Sequence, residues 1–279
     1  MAGSVVVAVD GSASSMEALE WAVAEARRKR LGLRLVHVCE QSRFGRAATD
    51  YCAGTLEAAH DQARALMDDD RITTALPTGN VIDCLVGESA SADSIVLGSR
   101  GLGGFTGLLL GSVSIGVAGY AACPVVIVRG STGTEHGRVV VGDDGSPCAK
   151  TALAYAAEQA RARGVPMHVT YAWQMPVTLS YPAGYGVLRA NCCEQELHLA
   201  AERLSVWRQE NQDIEITGEQ GVGHPAQALI KAGETADLVV VGSRGLGGFT
   251  SAVLGSVSRS VLQHATCSVA VVRPRSGRT

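Results

Sequence analysis

The chain has 279 residues, of which 46% are hydrophobic and 18% are charged, and its formal net charge is −3 at pH 7. This length suggests two domains, and this composition argues against an intrinsically disordered chain. The small negative charge gives no indication of a nucleic-acid-binding surface, and no segment reaches the roughly 18 apolar residues that a membrane span needs. Because the N-terminus lacks the features of a signal peptide, we expect a cytoplasmic protein.

In the first half, short apolar runs alternate with segments of helical periodicity. Strands are predicted at 4–9, 33–38, 72–75, 94–97 and 125–128, and helices at 55–67, 79–91 and 112–122. The first helix is predicted to open with a capping box at Ser14-x-x-Glu17. Near-continuous apolar runs are typical of parallel strands that are buried on both faces. The alternation therefore predicts an α/β fold, with a mostly parallel sheet covered by helices on both faces.

The second half of the chain repeats the first. The nine residues at 98–106, Gly-Ser-Arg-Gly-Leu-Gly-Gly-Phe-Thr, recur unchanged at 242–250, and residues 110–114 recur at 254–258. The Ser146-Pro147 pair predicts the start of a helix that corresponds to the first one. The chain is therefore a tandem duplication. The predicted domains are 1–129 and 138–279, joined by a linker at 130–137 that is rich in Gly, Ser and Thr.

A glycine-rich loop follows the fourth predicted strand of each half. The two copies read Gly98-x2-Gly101-x9-Gly111-Ser112 and Gly242-x2-Gly245-x9-Gly255-Ser256. Glycine lets phosphate oxygens approach backbone N–H groups closely, and the helix that follows presents the positive end of its dipole. Ligands of open α/β sheets bind beyond the carboxyl ends of the strands, where these loops are expected to lie. The loops thus indicate phosphate-binding sites, and the alternative is that they only turn the chain.

Two other nucleotide-binding motifs are absent from the sequence. A P-loop requires a lysine directly after a glycine, and no lysine in the chain follows a glycine. A dinucleotide-binding G-x-G-x-x-G motif would follow the first strand, whereas Gly101-Leu-Gly103 follows the fourth strand and ends in Thr106. The glycine-rich loop therefore matches neither of these motifs.

The sequence contains no group that predicts catalysis in both halves. His37 corresponds to Tyr171 in the second half, and Ser112 has no identifiable base partner, so we interpret His37 as a packed histidine. The eight cysteines include no C-x-x-C pair and are expected to be buried, reduced thiols. The vicinal pair Cys192-Cys193 is an alternative candidate for sensing oxidants. We expect a protein that is not an enzyme.

Both halves resemble the universal stress protein family, in its ATP-binding branch. The family signature G-x2-G-x9-G-[S/T] is matched by both loops, and the acidic residue after the first strand is matched by Asp10 and Asp144. The resemblance implies two tandem, doubly wound, Rossmann-like α/β domains with five-stranded parallel sheets in the order 3-2-1-4-5. It also implies nucleotide-binding residues in each half. These are Asp10, Val38, Gly98, Gly101, Gly111, Ser112, Val113 and Ser114, and then Asp144, Ala172, Gly242, Gly245, Gly255, Ser256, Val257 and Ser258.

The resemblance also implies a ligand and partners. The expected ligand is ATP, with or without Mg²⁺, bound by a stress-response or signalling module that has no dedicated catalytic machinery. A slow ATPase switch and a scaffold that no longer binds nucleotide are the alternatives. Members of the family commonly pair through their fifth strands, so residues 125–128 are expected beside 269–272, as an intrachain pseudo-dimer. A homodimer of whole chains is a further option, and no nucleic acid or membrane partner is expected.

The two sites are expected to differ. Asp143 stands where the first half has Val9, and its charge beside Asp144 predicts weaker binding in the second half. The loops that follow the second strands also differ, at 41–48 and at the longer 174–188. Their candidate ligand contacts are two arginines for phosphate in the first loop and two tyrosines for adenine in the second, namely Arg43, Arg46, Tyr181 and Tyr185.

Overall fold

The computed structural model describes residues 3–40, 46–102, 110–130, 135–174, 186–246 and 253–274, and of residues 46–48 and 186–193 it describes only the backbone. The chain divides into two compact units, Met1–Thr134 with Ser268–Thr279, and Glu135–Cys267. Among the helices of the described residues, none combines the length and the apolar character that crossing a membrane requires.

Strands and helices alternate in both units, as the sequence predicts. The first unit contains β1 (Val5–Ala8), α1 (Ala13–Lys29), β2 (Leu33–Val36), α2 (Arg46–Arg64), a 3₁₀ turn (Asp69–Arg71), β3 (Ile72–Ala75), α3 (Val81–Glu88), β4 (Ser94–Gly98), α4 (Ser112–Tyr120) and β5 (Val125–Val128). The second unit contains β6 (Val139–Gly142), α5 (Pro147–Arg163), β7 (Met167–Trp173), α6 (Gly186–Glu210), β8 (Ile216–Val222), α7 (Pro225–Gly233), β9 (Leu238–Gly242) and α8 (Ser256–His264). The last strand, β10 (Ser268–Val272), is part of the first unit.

Both units carry a parallel sheet of the expected order. In the first unit the strands lie in the order β3-β2-β1-β4-β5, with every neighbouring pair parallel. In the second unit the order is β8-β7-β6-β9, which is the same order for the first four strands. The central strands β1, β4, β5, β6 and β9 are almost entirely apolar and buried, which is typical of parallel sheets covered on both faces. The outer strands β3 and β8 carry polar residues and are more exposed. The predicted α/β fold is confirmed.

The fifth strands of the two repeats lie side by side. β10 pairs with β5 in antiparallel register, with Val269 opposite Ile127 and Val271 opposite Val125. The backbone N–H of Arg129 also donates a hydrogen bond to Ser268 Oγ, at 3.3 Å. The predicted pairing of 125–128 with 269–272 is therefore confirmed, and it covers one edge of a strand that would otherwise be open to association.

The start of the first helix differs from the prediction. The helix begins at Ala13, and its N-cap is Ser12, whose Oγ accepts a hydrogen bond from the backbone N–H of Ser15. The capping box predicted at Ser14 is therefore wrong. Gly11, with a φ of 84°, turns the chain sharply after β1, so the extended cap position falls on the next residue. In the second unit, Ser146 caps α5 and Pro147 opens it, as predicted.

The expectation that the cysteines are all reduced thiols is also wrong. Cys39, which lies shortly after β2, forms a disulfide with Cys52, which lies in helix α2. Spacing along the sequence gives no indication of this pair, because the two residues meet only when α2 packs against the sheet. The side chains of Cys192 and Cys193 are outside the described part of the chain, so their predicted role stays a prediction.

Candidate functional site

A pocket of about 670 Å³ lies at the carboxyl ends of β1, β2 and β4 in the first unit. Helices α2 and α3 and the first turn of α4 form its walls. All the predicted binding residues of the first half line it: Asp10, Val38, Gly98, Gly101, Gly111, Ser112, Val113 and Ser114. The pocket lies where the strand order reverses, between β1 and β4, and its volume falls within the range of about 300–1,000 Å³ that small-molecule sites occupy.

Asp10 anchors the glycine loop to the end of β1. Its Oδ2 accepts a hydrogen bond from the backbone N–H of Leu102 at 3.1 Å, and its Oδ1 accepts one from the backbone N–H of Ser12 at 3.0 Å. Burial by itself would raise the pKa of the Asp10 carboxyl, but hydrogen bonds with Ser12, Ser15 and Leu102 outweigh burial and lower the pKa below 3.8. The carboxylate is therefore ionised at neutral pH, and it fixes the position of the loop.

Two of the three signature glycines are required by close packing. A Cβ atom at Gly98 would lie 2.7 Å from the backbone of Ser14, and one at Gly101 would lie 2.5 Å from Asp10 Oδ2. A Cβ atom at Gly111 would have its nearest neighbour, the carbonyl oxygen of Ser99, 3.6 Å away, which is an ordinary contact. Gly98 and Gly101 thus have a structural role that does not depend on a ligand, whereas nothing in the packing around Gly111 requires glycine.

The start of α4 faces the pocket. Its N-cap is Gly111, and among the described residues no side chain caps the helix. An N-terminus of this kind presents backbone N–H groups and a partial positive charge, both of which favour an anion. Ser114 Oγ donates a hydrogen bond to the carbonyl oxygen of Gly98, at 2.9 Å, so this hydroxyl holds the loop against the helix. In the second unit, Ser258 Oγ donates to the carbonyl oxygen one position further along the loop, that of Ser243, at 3.1 Å.

The pocket includes residues that the sequence analysis did not select as ligand contacts. His37 lies at its base, with Nδ1 2.7 Å from the carbonyl oxygen of Val9. Because a carbonyl oxygen only accepts hydrogen bonds, Nδ1 carries the proton, and His37 is the packed histidine that we expected. Arg100 is the only lysine or arginine among the described residues that line the pocket. Its position inside the repeated Gly-Ser-Arg-Gly segment is the sequence signal that would have identified it.

The predicted contacts in the loops after the second strands lie outside the described residues. This applies to Arg43, Tyr181 and Tyr185, and to the side chain of Arg46.

The second unit repeats the anchor of the first. Asp144 Oδ2 accepts a hydrogen bond from the backbone N–H of Leu246 at 3.1 Å, and Oδ1 accepts one from that of Ser146 at 3.0 Å. Gly255 is the N-cap of α8, again without a side-chain cap among the described residues. The other predicted residues occupy the equivalent positions: Ala172 in β7, Gly242 at the end of β9, Gly245 beside Asp144, and Ser256, Val257 and Ser258 in the first turn of α8.

The described residues of the two units differ at the ends of their first two strands. Asp143, which corresponds to Val9, is buried with 7% of its surface exposed. Its Oδ2 accepts a hydrogen bond at 2.9 Å from Nε of Arg203, which comes from α6. The guanidinium of Arg203 also lies over the ring of Tyr171, 5.4 Å from its centre. Asp143 is thus neutralised by an ion pair, so the repulsion that we predicted between Asp143 and Asp144 is not the main effect of this substitution.

Tyr171 completes this cluster. Its hydroxyl donates a hydrogen bond to Glu196 Oε2 at 3.2 Å. Burial, together with the negative charge of Glu196, raises the pKa of Tyr171 to about 12, so the hydroxyl keeps its proton. Val9 and His37, at the corresponding positions, line the pocket of the first unit. The cluster of Asp143, Tyr171, Glu196 and Arg203 therefore occupies the part of the second unit that corresponds to a pocket wall in the first.

Comparisons with known proteins agree with this architecture. The sequence model of the universal stress protein family matches residues 1–129 and 135–273. A universal stress protein of Mycolicibacterium smegmatis is 34% identical over an alignment of 288 positions that covers 97% of each chain. One from Mycobacterium tuberculosis is 33% identical over an alignment of 288 positions that covers 96% of each chain. The crystal structure of a universal stress protein from Archaeoglobus fulgidus has a TM-score of 0.71 at 23% identity, over 98% of this chain and 97% of that one. With family matches in both halves and relatives of this similarity along its whole length, the chain belongs to the universal stress protein family.

Proposed function

We propose that the chain is an ATP-binding module of a stress-response or signalling system, and that its nucleotide site is the pocket of the first unit. The observation that carries this proposal is the convergence of the loop glycines, the start of α4 and the ends of β1 and β2 on one pocket. The proposal also draws on the resemblance of both glycine loops to the signature of the ATP-binding branch.

The lining of the pocket suits the two parts of a nucleotide. Val36, Val38 and Leu85 provide an apolar wall at the end of β2 and in α3, against which an adenine ring can pack. On the opposite side, Gly111 and the first turn of α4 offer backbone N–H groups to phosphate. Arg100 adds a guanidinium that can pair with phosphate oxygens. Magnesium would then be held mainly by the phosphates of the nucleotide.

We propose binding without turnover. Ser112 has no identifiable base partner in the sequence, and no hydrogen bond joins it to His37 among the described residues. A slow ATPase remains the alternative function, and release of inorganic phosphate from ATP under multiple-turnover conditions would separate it from a binding module.

We propose that each chain binds one nucleotide, in the first unit, and that the second unit binds none. In the second unit, the guanidinium of Arg203 lies 5.4 Å from the ring centre of Tyr171, whose counterpart His37 lines the pocket of the first unit. The ion pair of Arg203 with Asp143 holds it there. An adenine nucleotide in this unit would have to displace Arg203 and leave the buried charge of Asp143 without a partner, which is costly.

Calorimetric titration of the purified chain with ATP tests this function. We expect binding of one ATP per chain, and analysis of the small molecules released from denatured protein should recover an adenine nucleotide. Titration with tripolyphosphate, which lacks the base, should give much weaker binding if the apolar wall contributes. If ATP does not bind to protein shown to be free of nucleotide, the proposed function is wrong and the scaffold alternative is favoured.

A further inference from the structure

The disulfide between Cys39 and Cys52 lies at the rim of the proposed nucleotide pocket. Cys39 directly follows Val38, and Cys52 itself lines the pocket from α2. The Cα atoms are 5.9 Å apart, within the range of about 4.4–6.8 Å that disulfides span. The bond therefore joins the strand that carries one wall of the pocket to the helix that carries another.

We propose that Cys39 and Cys52 form a redox-modifiable site that sets the nucleotide affinity of the first unit. The effect on affinity rests on the proposed function, whereas the modification itself does not. In the oxidation, the two thiols lose two protons and two electrons and one S–S bond forms. Hydrogen peroxide, the oxidant class that we propose, accepts them and is reduced to two molecules of water. A dithiol reductant reverses the reaction by thiol–disulfide exchange.

The bond restrains α2 rather than the sheet. The backbone of Cys39 is already fixed, because its N–H donates to Pro77 O at 2.9 Å and its carbonyl oxygen accepts from Gly79 N–H at 3.3 Å. Cys52 lies in the second turn of α2, next to Tyr51, which also lines the pocket. Formation of the bond thus fixes the part of α2 that carries these two side chains at the rim.

The oxidised state is the binding-competent one. With the disulfide formed, the pocket is open and has a volume of about 670 Å³. Reduction removes the link between α2 and the sheet, so binding must then supply the free energy that orders the rim. We expect ATP to bind the oxidised protein on the order of tenfold more tightly than the reduced protein, a coupling of ordinary size. By reciprocity, saturating ATP should favour the disulfide by the same factor.

The site is specific to the first unit. Trp173 occupies the position in the second repeat that corresponds to Cys39, at the end of β7, so an equivalent bond cannot form there. Cys84, in α3, is not part of a disulfide in the described structure and provides a matched control.

Peptide mapping tests the modification without reference to nucleotide. The full-length protein is treated with hydrogen peroxide, alkylated and digested without reduction. We expect a peptide pair that links Cys39 to Cys52, present also in Cys84→Ser and absent from Cys39→Ser. Hydrogen exchange at Tyr51 and the following turn of α2 should slow on oxidation in protein free of nucleotide. Failure to find the linked pair would overturn the proposal.

ATP titration tests the coupling. Oxidised wild-type protein and Cys84→Ser should bind ATP about tenfold more tightly than their reduced forms. Cys39→Ser and Cys52→Ser should bind equally under both conditions, with the affinity of the reduced wild type. Equal affinity of the oxidised and reduced wild type would overturn the coupling. If the linked peptide forms but ATP binds in neither state, the proposed function fails together with the coupling, and only the modification site stands.

Discussion

The carboxylate of Asp10 accepts a hydrogen bond from the backbone N–H of Leu102, 92 positions later in the chain and 3.1 Å away. Asp144 makes the same bond to Leu246, also at 3.1 Å, in the second unit. The acidic residue after the first strand therefore fixes the glycine loop over the carboxyl ends of the strands. This gives it a structural role in addition to any contact with a ligand.

Replacing Asp10 with alanine should destabilise the first unit and loosen the loop. Loss of the bonds to the backbone of Ser12 and Leu102 should lower the free energy of unfolding by about 2 kcal/mol, because hydrogen bonds to a charged group are stronger than neutral ones. ATP affinity should fall with it. Thermal and urea denaturation, with ATP titration, measure both effects. Asp144→Ala is the matched control, and it should destabilise the second unit while leaving ATP affinity unchanged.

The stability conferred by Asp10 should depend on pH in one direction. The pKa of its carboxyl is lower in the folded protein than the ordinary 3.8, so the folded state favours the ionised form. Its contribution is complete above about pH 4 and is lost as the pH falls through the folded pKa. The difference in unfolding free energy between wild type and Asp10→Ala should therefore be constant near neutral pH and shrink below about pH 4. A difference that grows on acidification would contradict this assignment.

Gly111→Lys should weaken ATP binding at least tenfold while the fold survives. A Cβ atom at this position makes only ordinary contacts, but the side chain would lie at the start of α4, where phosphate is proposed to bind. Titration calorimetry gives the affinity, and the melting temperature should change by only about 1–3 °C. Gly255→Lys, at the same position of the second loop, should leave ATP affinity unchanged. Undiminished ATP binding by Gly111→Lys would show that the phosphates bind elsewhere.

The double variant Asp143→Val, Arg203→Ala should open the second unit to nucleotide. It removes both members of the ion pair at once and places valine where the first unit has Val9. We expect the stoichiometry of ATP binding to rise from one to two per chain. Asp143→Val alone leaves the guanidinium of Arg203 in place, so it should not produce this increase. A stoichiometry of two in the wild type would show that Arg203 moves aside readily and does not close the site.

Ala270→Asp should disrupt the pairing of β10 with β5. Ala270 is fully buried at 0% exposure and lies opposite Val126, so the new carboxylate would be buried without a partner. We expect a loss of at least about 3 kcal/mol in unfolding free energy and a tendency to self-associate through the exposed edge of β5. Denaturation and sedimentation velocity measure these changes. Ala201→Asp, on the exposed surface of α6, is the control and should be close to neutral.

The sequence alone was sufficient to predict the two repeats, the α/β alternation and the two glycine loops, whereas the further residues of the candidate site came from the family resemblance. These depend on signals that lie close together along the chain, such as the apolar runs of the strands and the glycine loop at 98–106 with its copy at 242–250. Knowledge of the family added the strand order and the pairing of 125–128 with 269–272, both of which the structure shows. All eight predicted residues of the first half line one pocket, because parallel strands bring their carboxyl ends to a single edge of the sheet.

Only the tertiary structure shows how the two units differ at the ends of their first two strands. Asp143 could be recognised in the sequence as a departure from Val9, but its partner Arg203 is 60 positions away on another element. The bond between Cys39 and Cys52 could not be predicted from the sequence either, since it depends on how α2 packs against the sheet. Local patterns determine which residues form a strand or a helix. Which side chains meet across those elements is determined by packing in three dimensions, and these contacts distinguish two repeats whose glycine loops are identical over nine residues.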